Sequence, residues 1–413
     1  MRVRFGGYCN SGKPQYQHET CFGVDPSGSI MVMAAGLGES ASISSSCVCA
    51  DIVKSLVPHR SQMETMAADA RPDSRRMLLS SLCGAMMRAE RNLLETSEQN
   101  VQHKGMTTTC DLLYLSNGCA YIGHVGNTRI YLLRGDTGRQ LTIDHTVYEY
   151  LKAQGKREDE LARTSYRHRL IRALGMSGGA ELDTLQLDLR QGDRLVMCSA
   201  GVHAHLQNAT HLAQLYRTMD PNRAAEFLVN YAIEHGCVGC AAAVCIEILD
   251  PGMRTSSLET ESRITVLEQI CFFRDLSYQE MLQVMPITFE RTVEAGTEII
   301  HEGDEGEELY ILVEGECAVT NSGVHIATLN NGSSFGELSL VDSQPRSATV
   351  KAITPCRLLV IRAADFEKLT VSGALAVKLL WNVTHELCAR LRKSSDTIRQ
   401  QGTLLLAHGI TEQ

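Results

Sequence analysis

The second half of the chain contains two neighbouring stretches that decide its fold, Phe335-Gly336-Glu337-Leu338-Ser339-Leu340 and Pro345-Arg346-Ser347-Ala348-Thr349-Val350. A short helix that begins near Gly336 presents free backbone N–H groups to an anion, and glycine lets that backbone approach closely because it has no Cβ. Arg346 adds a full positive charge and a forked pair of donors. Together these features predict a site for an anionic group such as a phosphate.

The side chains beside these two groups extend the predicted site. Glu337 offers a carboxylate acceptor next to Gly336, and Ser347 offers a hydroxyl donor next to Arg346. In an alternative interpretation, Glu337 and Arg346 form only a structural ion pair in a domain that no longer binds a ligand. We favour ligand binding because the sequence keeps both the carboxylate and the guanidinium group.

Residues 264–400 have the pattern of a small β-roll that is closed by helices. Short β runs are separated by glycines, and a long helix is predicted from about Gly373 to Gln400. With Gly303-Asp304 and Tyr310–Gly315 ahead of the two stretches, the segment resembles the cyclic nucleotide-binding domains of CRP-like proteins and of kinase regulatory subunits. The resemblance implies that the nucleotide is held by Gly336, Glu337, Leu338, Arg346, Ser347 and Ala348.

The end of the closing helix bears on which nucleotide is bound. The segment Arg390-Leu391-Arg392-Lys393-Ser394-Ser395-Asp396 resembles the part of CRP in which a Thr-Ser pair meets adenine, with one residue coming from the partner subunit. The resemblance implies contacts from Arg390, Ser394 and Ser395, and we therefore expect cAMP rather than cGMP. Ser347 stands where cGMP-selective relatives often carry threonine, so cGMP stays possible. In the alternative interpretation the two serines lie on a solvated helix face.

The closing helix also carries an apolar stripe suited to pairing with a second helix. Apolar side chains recur at spacings of three or four residues, namely at Ala376, Leu380, Val383, Leu387 and Leu391. Part of this stripe must cover the β-roll of its own chain. We predict a homodimer that forms through this helix.

Residues 1–250 have a different pattern, in which short β runs alternate with long helices. Strands are predicted at Ile30–Ala35, Thr107–Leu115, Cys119–Val125, Arg129–Leu133, Arg194–Cys198 and Ala241–Leu249, and helices at Ser74–Leu94 and Ala224–His235. The first helix carries an apolar side formed by Met77, Leu78, Leu82, Met86, Leu93 and Leu94. This pattern predicts an α+β fold in which helices flank a β-sandwich. Linker chemistry at Asp250-Pro251-Gly252 places a linker at 251–263, and residues 401–413 form a tail.

The same 250 residues resemble the PPM (phosphatase 2C) family of metal-dependent serine/threonine phosphatases. The matching motifs occur in order along the segment: Gly105-Met106-Thr107-Thr108-Thr109, His124-Val125-Gly126-Asn127-Thr128-Arg129, Leu141-Thr142-Ile143-Asp144-His145 and Gly192-Asp193-Arg194-Leu195. Catalysis in that family needs two divalent cations that are bridged by aspartates and activate water.

The resemblance also implies that the metal ligands of this family are missing here. Its aspartate positions fall on Ala35, Asn127, Ala200 and the pair Gly239-Cys240, and only Glu19 keeps a carboxylate near the first metal position. The arginine that grips substrate phosphate is also absent, its place falling near Pro14 or Gln15. We predict a pseudophosphatase with no catalytic residues and no catalytic metal. A site rebuilt from His18, Glu19 and Glu39 is the alternative.

Composition narrows the classes of partner. The net charge of −9 argues against nucleic acid, and the residues after the closing helix are too few for a DNA-reading module. No apolar run has the length of a membrane span, and Met1–Tyr8 lacks the apolar core of a signal peptide. The 15 cysteines are scattered through apolar patterns, which is typical of reduced thiols in a cytoplasmic protein. A zinc or redox role for Cys47-x-Cys49 and Cys237-x-x-Cys240 is the less favoured interpretation.

These observations predict a cytoplasmic, cyclic-nucleotide-sensing regulatory protein. In this hypothesis the phosphatase-like domain is a docking or scaffold module for a protein partner in a signalling pathway, under nucleotide control. The domain could also be a purely structural platform. The alternative function is a cyclic-nucleotide-regulated, metal-dependent serine/threonine protein phosphatase.

Overall fold

The computed structural model describes residues 1–12, 19–69, 72–157, 165–252, 260–337, 345–370 and 375–385, together with Cys388 and Arg392. The chain divides into two compact units. The first contains Met1–Arg263 and Tyr278–Phe289, and the second contains Ile264–Ser277 and Glu290–Gln413. The sequence predicts the division near the linker 251–263. It did not predict that Tyr278–Phe289, which follows this linker, belongs to the first unit.

The first unit is built on two antiparallel sheets. Its strands are β1 (Arg2–Asn10), β2 (Thr20–Val24), β3 (Ile30–Leu37), β4 (Thr107–Ser116), β5 (Cys119–Val125), β6 (Arg129–Arg134), β7 (Thr137–Gln140), β8 (Asp183–Asp188), β9 (Arg194–Cys198) and β10 (Ala241–Asp250). Within the described ranges, one five-stranded sheet has the order β1-β10-β9-β6-β7 and the other has the order β2-β3-β4-β5-β8. The predicted α+β sandwich is therefore confirmed.

Helices cover the outer faces of both sheets. The helices of the first unit are α1 (Ala41–Leu56), α2 (Arg60–Ala68), α3 (Pro72–Gln99), α4 (Val147–Ala153), α5 (Ala200–His203), α6 (Ala209–Tyr216), α7 (Pro221–Glu234) and α9 (Tyr278–Val284), while α8 (Thr260–Glu268) includes the boundary between Arg263 and Ile264. Helices α1, α2 and α3 share a core with the β2–β8 sheet, and α6 and α7 share one with the β1–β7 sheet. Local caps set helix starts: Asp220 accepts hydrogen bonds from the N–H groups of Asn222 and Arg223, and Pro221 fills the first turn of α7.

Strand β3 and helix α3 show how burial follows the two periodicities. Ile30, Val32 and Ala34 belong to the core under the helices, while Met31 and Met33 are fully buried on the opposite face of β3. In α3, Leu78, Leu82, Met86 and Leu93 are buried as predicted. The assignment of Met77 and Leu94 to that side was wrong: their side chains are 50% and 41% exposed. Both lie off the narrow stripe that faces the sheet.

The segment Tyr278–Phe289 packs within the first unit through several contacts. The Arg139 guanidinium lies 4.5 Å from the centroid of the Tyr278 ring, a cation–π contact. The Gln283 side-chain amide donates a hydrogen bond to the carboxylate of Asp183 on β8. Arg263 Nη2 donates to the carbonyl oxygen of Thr288 at 2.9 Å. These contacts fix the segment that leads into the second unit.

The second unit is a β-roll. Its strands are β11 (Thr288–Val293), β12 (Glu298–Ile300), β13 (Glu308–Glu314), β14 (Cys317–Asn321), β15 (Val324–Leu329), β16 (Ser334–Phe335), β17 (Thr349–Ala352) and β18 (Cys356–Arg362). In the part of the unit that the structure describes, the sheet orders are β11-β18-β13-β16 and β12-β17-β14-β15. Helix α10 (Ala363–Thr370) and a helix over residues 375–385 follow.

The helix over 375–385 buries one face and exposes another. Leu375, Ala376, Leu379 and Val383 are buried, whereas Val377, Leu380 and Trp381 are 56%, 51% and 68% exposed. The predicted stripe therefore divides, because Ala376 and Val383 cover the β-roll and Leu380 does not. Leu387 and Leu391 lie outside the described residues. None of the helices described combines the length and apolarity needed to cross a membrane.

Candidate functional sites

Arg346 lies where the loop before β17 meets the strand β13. Its Nη1 donates to the carbonyl oxygen of Gly336 at 3.0 Å, and its Nη2 donates to the carbonyl oxygen of Glu308 at 2.8 Å. Its own backbone pairs with the preceding turn: the N–H donates to Asp304 O at 2.8 Å, and its carbonyl accepts from Gly303 N at 2.9 Å. The guanidinium group is thus fixed beside Gly336, as the sequence predicts for a phosphate-binding site.

Two glycines make room for this arginine. Gly336 has φ +76°, which favours glycine, and a Cβ there would lie 2.6 Å from Arg346 Nη1 and 2.9 Å from Glu308 O. A Cβ at Gly306 would clash with the Nε and Cζ atoms of Arg346. Gly306 is one of the glycines that separate the short β runs in the sequence, and its packing against Arg346 is apparent only in the folded chain.

Beneath the arginine, Glu308 joins a charged cluster. It accepts hydrogen bonds from both terminal nitrogens of Arg291, at 3.0 and 3.1 Å, and from the hydroxyl of Tyr310 at 2.7 Å. Burial alone would raise the pKa of Glu308, but Tyr310 and Arg291 outweigh it and lower that pKa. The Tyr310 ring stacks on Phe335 with centroids 5.2 Å apart. Glu308 therefore stays charged and anchors β13 next to Gly336.

The other predicted contacts divide between described and undescribed residues. Glu337 is half-buried, Ser347 is exposed, and Ala348 is half-buried. The Ser347 carbonyl accepts a hydrogen bond from the Asn321 side chain at 2.7 Å. Leu338, Arg390, Ser394 and Ser395 lie outside the described residues. Among the described residues, the Arg346 guanidinium lies beside the left-handed Gly336, an arrangement that fits an anionic phosphodiester.

The first unit contains the positions where the phosphatase family carries metal ligands. Ala35 is a half-buried residue near the end of β3, and its carbonyl oxygen lies 3.4 Å from the Thr109 hydroxyl, which donates to it. Gly36 N donates to the carbonyl oxygen of Glu19 at 2.8 Å, and a Cβ at Gly36 would clash with the backbone of Ala41. A chain of contacts thus joins Glu19, Ala35 and Thr109 at one end of the sheet.

The later positions meet at helix α5. His203 Nε2 lies 2.8 Å from the carbonyl oxygen of Asn127, and Ser199 begins the helix of which Ala200 is the first residue. A Cβ at Gly201 would clash with the carbonyl oxygen of Cys240. Burial and the nearby charge of Arg129 lower the pKa of His203 to about 4. The end of the first unit that includes Asn127, Ala200 and Cys240 is called the candidate catalytic edge below.

The described side chains at this edge do not fit a two-metal centre. Methyl groups stand at Ala35 and Ala200, and a thiol stands at Cys240. Within the described ranges, no group of three or more His, Cys, Asp or Glu side chains is arranged to hold a metal ion. Hard cations such as Mg²⁺ require several oxygen ligands. His18, part of the alternative rebuilt site, lies outside those ranges.

A row of buried histidines and aspartates crosses the β2–β8 sheet, and the sequence analysis missed it. Register places Asp111 on β4 opposite His124 on β5, and His124 opposite Asp183 on β8. His124 Nδ1 lies 2.6 Å from Asp111 Oδ1, His145 Nε2 lies 3.2 Å from Asp183 Oδ2, and the two imidazole centroids are 4.7 Å apart. The sequence signal that could have indicated this row is the presence of His124 and His145 in the two motifs His124–Arg129 and Leu141–His145.

The surroundings shift the pKa values of the two histidines of this row in opposite directions. Burial would lower the pKa of His124, but the charge and hydrogen bond of Asp111 outweigh it and raise that pKa. Burial dominates at His145 and lowers its pKa, although Asp183 opposes the change. The Asp111 carboxylate therefore favours the charged form of His124, whereas burial favours the neutral form of His145.

Comparisons with known proteins match both units. A model of the cyclic nucleotide-binding domain family matches residues 290–372, and a model of the protein phosphatase 2C family matches residues 46–153. The chain therefore joins a domain of the protein phosphatase 2C family to a cyclic nucleotide-binding domain. The resemblance stated from the sequence is confirmed for both.

Individual relatives match one unit each. The cAMP-dependent protein kinase type II regulatory subunit of Drosophila melanogaster is 33% identical over 115 residues, which cover 28% of this chain and 30% of the relative. The serine/threonine phosphatase stp of Listeria innocua is 34% identical over 107 residues, which cover 26% of this chain and 42% of the relative. The chain thus spans less than half the length of these curated relatives.

Solved structures show the same fold for the first unit. The Mycobacterium tuberculosis serine/threonine phosphatase PstP/Ppp superposes with a TM-score of 0.51 at 21% identity, covering 60% of this chain and all of that one. Stp1 of Staphylococcus aureus gives a TM-score of 0.51 at 17% identity and covers 60% of this chain and 96% of its own. At these identities the likeness concerns the fold.

Proposed function

We propose that this chain is a cytoplasmic regulatory protein that senses cAMP, and that its phosphatase-like domain is catalytically inactive and docks a protein partner under nucleotide control. The observation that carries the proposal is the Arg346 guanidinium, held by two carbonyl oxygens beside Gly336. A cation fixed in this way supplies the charge for a cyclic phosphate without a metal ion. Glu337, the next residue after Gly336, would accept the ribose hydroxyl group.

The choice of cAMP rests on the closing helix and on one relative. Ser394 and Ser395 are expected to meet adenine, and the Drosophila relative is named as a cAMP-dependent kinase subunit. Calorimetric titration of the full chain with cAMP and with cGMP tests this choice directly. We expect tighter binding of cAMP. Equal or tighter binding of cGMP would contradict the adenine contact.

The inactive state is supported by the residues at the candidate catalytic edge. Ala35 and Ala200 offer no ligand atoms where active members would need carboxylates, so a pair of divalent cations would lack its bridges. Addition of millimolar Mn²⁺ or Mg²⁺ should leave the melting temperature unchanged, because a ligand that binds the folded state would raise it. A chelator-treated sample is the control.

A nucleotide-regulated phosphatase is the competing function, and the Listeria relative favours it by name. The same samples should therefore be assayed for hydrolysis of a generic phosphoester, with and without cAMP. A metal-dependent rise in melting temperature together with metal-dependent hydrolysis would refute the inactive domain. A melting temperature that metal does not change, together with no hydrolysis with or without cAMP, would support the inactive domain.

Nucleotide control has a physical route in the segment Tyr278–Phe289. This segment packs in the first unit, where Gln283 contacts Asp183, and Glu290, the next residue, begins the match to the nucleotide-binding family. A nucleotide-driven displacement of Glu290 would be transmitted along the chain to Tyr278–Phe289, whose side chains pack in the first unit. Pull-down of partners with and without cAMP tests whether docking responds.

The proposed protein is a homodimer that forms through the closing helix. Val377, Leu380 and Trp381 supply an exposed apolar face at spacings of three and four residues. Burying such side chains against a second copy removes apolar surface from water, at about 25 cal/mol per Å². The net charge of −9 argues against nucleic acid as a partner.

A further inference from the structure

Two cysteines that are far apart in the sequence meet at the candidate catalytic edge. Cys9 lies on β1 and Cys240 lies directly before β10, and their Sγ atoms are 3.5 Å apart. The two strands are neighbours in the sheet, with Cys9 opposite Ala242. Cys9 Sγ also lies 3.5 Å from the carbonyl oxygen of Thr20, to which it donates. The sheet register therefore holds the two thiols side by side.

The thiol pair stands beside positions that the phosphatase resemblance assigns to metal binding. Cys240 falls on one of those positions, and its carbonyl oxygen packs so closely on Gly201 that a Cβ there would clash. Ala200 precedes that glycine on α5. Where the family has carboxylates, this chain therefore presents a methyl group and a thiol.

We propose that Cys9 and Cys240 form a reversible disulfide when the protein meets a peroxide, which makes this edge a site of redox modification. One thiol is first oxidised by hydrogen peroxide to a sulfenic acid, with release of water. The second thiol attacks that sulfur, the S–S bond forms, and a second water leaves. Two thiols and one peroxide thus give one disulfide and two waters, and a dithiol reductant reverses the change.

The two sulfur atoms must move closer together for the bond to form. A disulfide has an S–S distance of about 2.05 Å, so the sulfur atoms must approach by about 1.5 Å. Because Cys9 lies opposite Ala242 and diagonal to Cys240, we expect the backbone of the two strands to adjust as well. Cys9 is only half-buried, which gives a small oxidant access to the pair. The shared hydrogen bond and burial raise the pKa of Cys9, so the reaction is expected to be slow and to need millimolar peroxide.

A second thiol pair provides an internal control for access. Cys317 and Cys356 in the β-roll have Sγ atoms 3.7 Å apart, but both are buried. Cys21 provides a control for reactivity, because its hydrogen bond with Cys49 lowers its pKa to about 6. Cys21 is half-buried and Cys49 is buried, as are Cys9 and Cys240 respectively, so access is matched between the two pairs. Oxidation that followed thiolate character would choose Cys21 and Cys49, whereas our proposal expects the cross-link between Cys9 and Cys240.

The test uses the reduced full chain, hydrogen peroxide and peptide mapping by mass spectrometry. We expect the Cys9–Cys240 cross-linked peptide, a loss of two thiols per chain, and a rise in melting temperature of about 5 °C that dithiothreitol reverses. Cys240→Ser should abolish the cross-link and the rise. Cys237→Ser, a matched change three residues away, should leave both unchanged.

Several results would overturn the inference. These are a dominant Cys21–Cys49 or Cys317–Cys356 cross-link, sulfinic acid at Cys9 without a cross-link, or a Cys9–Cys240 pair that stays reduced while other thiols oxidise. The wild-type map needs no variant, so it decides the question even where Cys240→Ser folds poorly. Nucleotide binding and phosphatase activity play no part in the readout, so failure here is distinct from failure of the proposed function.

Discussion

Replacement of Arg346 by alanine is the sharpest test of the nucleotide site. The change removes the group whose two nitrogens lie 3.0 and 2.8 Å from the carbonyl oxygens of Gly336 and Glu308. It would leave the phosphate of a bound nucleotide without its cationic partner. Loss of one partner of a desolvated charge pair costs about 2–5 kcal/mol. Since about 1.4 kcal/mol is a factor of ten, affinity for cAMP should fall by roughly 30-fold or more.

Calorimetry on the full chain measures this loss, and melting temperature shows whether the variant is folded. Arg346→Lys keeps the charge but cannot serve both carbonyl oxygens, so we expect intermediate affinity. Arg357→Ala is the matched control, because Arg357 forms partly exposed ion pairs with Glu290 and Glu314 on the same β-roll. The Arg357→Ala variant should bind cAMP like the wild type. A folded Arg346→Ala protein with wild-type affinity would mean that the nucleotide binds elsewhere.

Three further predictions concern other residues. Glu337→Ala should weaken cAMP binding by less than Arg346→Ala, by about 1.5–3 kcal/mol; a larger loss in calorimetry would reverse the assigned roles. The folded-state pKa of His203 is about 4, below the unfolded value of about 6.5, so its contribution to stability is present above pH 6.5 and is lost as pH falls toward 4. Between pH 7.5 and 5 the free energy of unfolding should fall by about 2 kcal/mol through His203. His203→Gln should therefore flatten the pH dependence of the free energy of urea unfolding in that range, whereas the control His205→Gln should not. An unchanged pH dependence in His203→Gln would contradict the assignment. Leu380→Glu should split the dimer in light scattering, whereas Val324→Glu, an equally apolar and exposed site on β15, should not; a Leu380→Glu protein that stays dimeric would remove the proposed face.

Much of the fold follows from local signals. The strands from Ile30, Thr107, Cys119, Arg129 and Arg194 and the two long helices occur where the patterns predict them, because alternation and 3.6-residue periodicity are local consequences of burial. Helix α1 (Ala41–Leu56), with its run of serines, was not predicted, nor were β1 and β8. In α1, Ser44 and Ser45 are buried, and tertiary packing overrides their weak helix propensity.

Part of the proposed nucleotide site could also be predicted from the sequence. The residues of the proposed phosphate site, Gly336, Glu337 and Arg346, lie within about a dozen residues of one another, so a local motif predicts them. The contributions of Gly306 and Glu308 were not readable, since they act by packing against Arg346 and by offering a backbone carbonyl. A carbonyl oxygen has no sequence signature.

The sequence by itself determined the two domain classes, and it predicted the phosphate-binding loop and the loss of metal ligands at Ala35 and Ala200, because each depends on residue identity at fixed local spacing. Only the tertiary structure decided that Cys9 meets Cys240, that Asp111, His124 and Asp183 form one row, and that Tyr278–Phe289 belongs to the first unit. It also decided which face of the closing helix is exposed. These facts depend on strand register and on packing between distant segments, and no local periodicity encodes which distant residue a side chain will face.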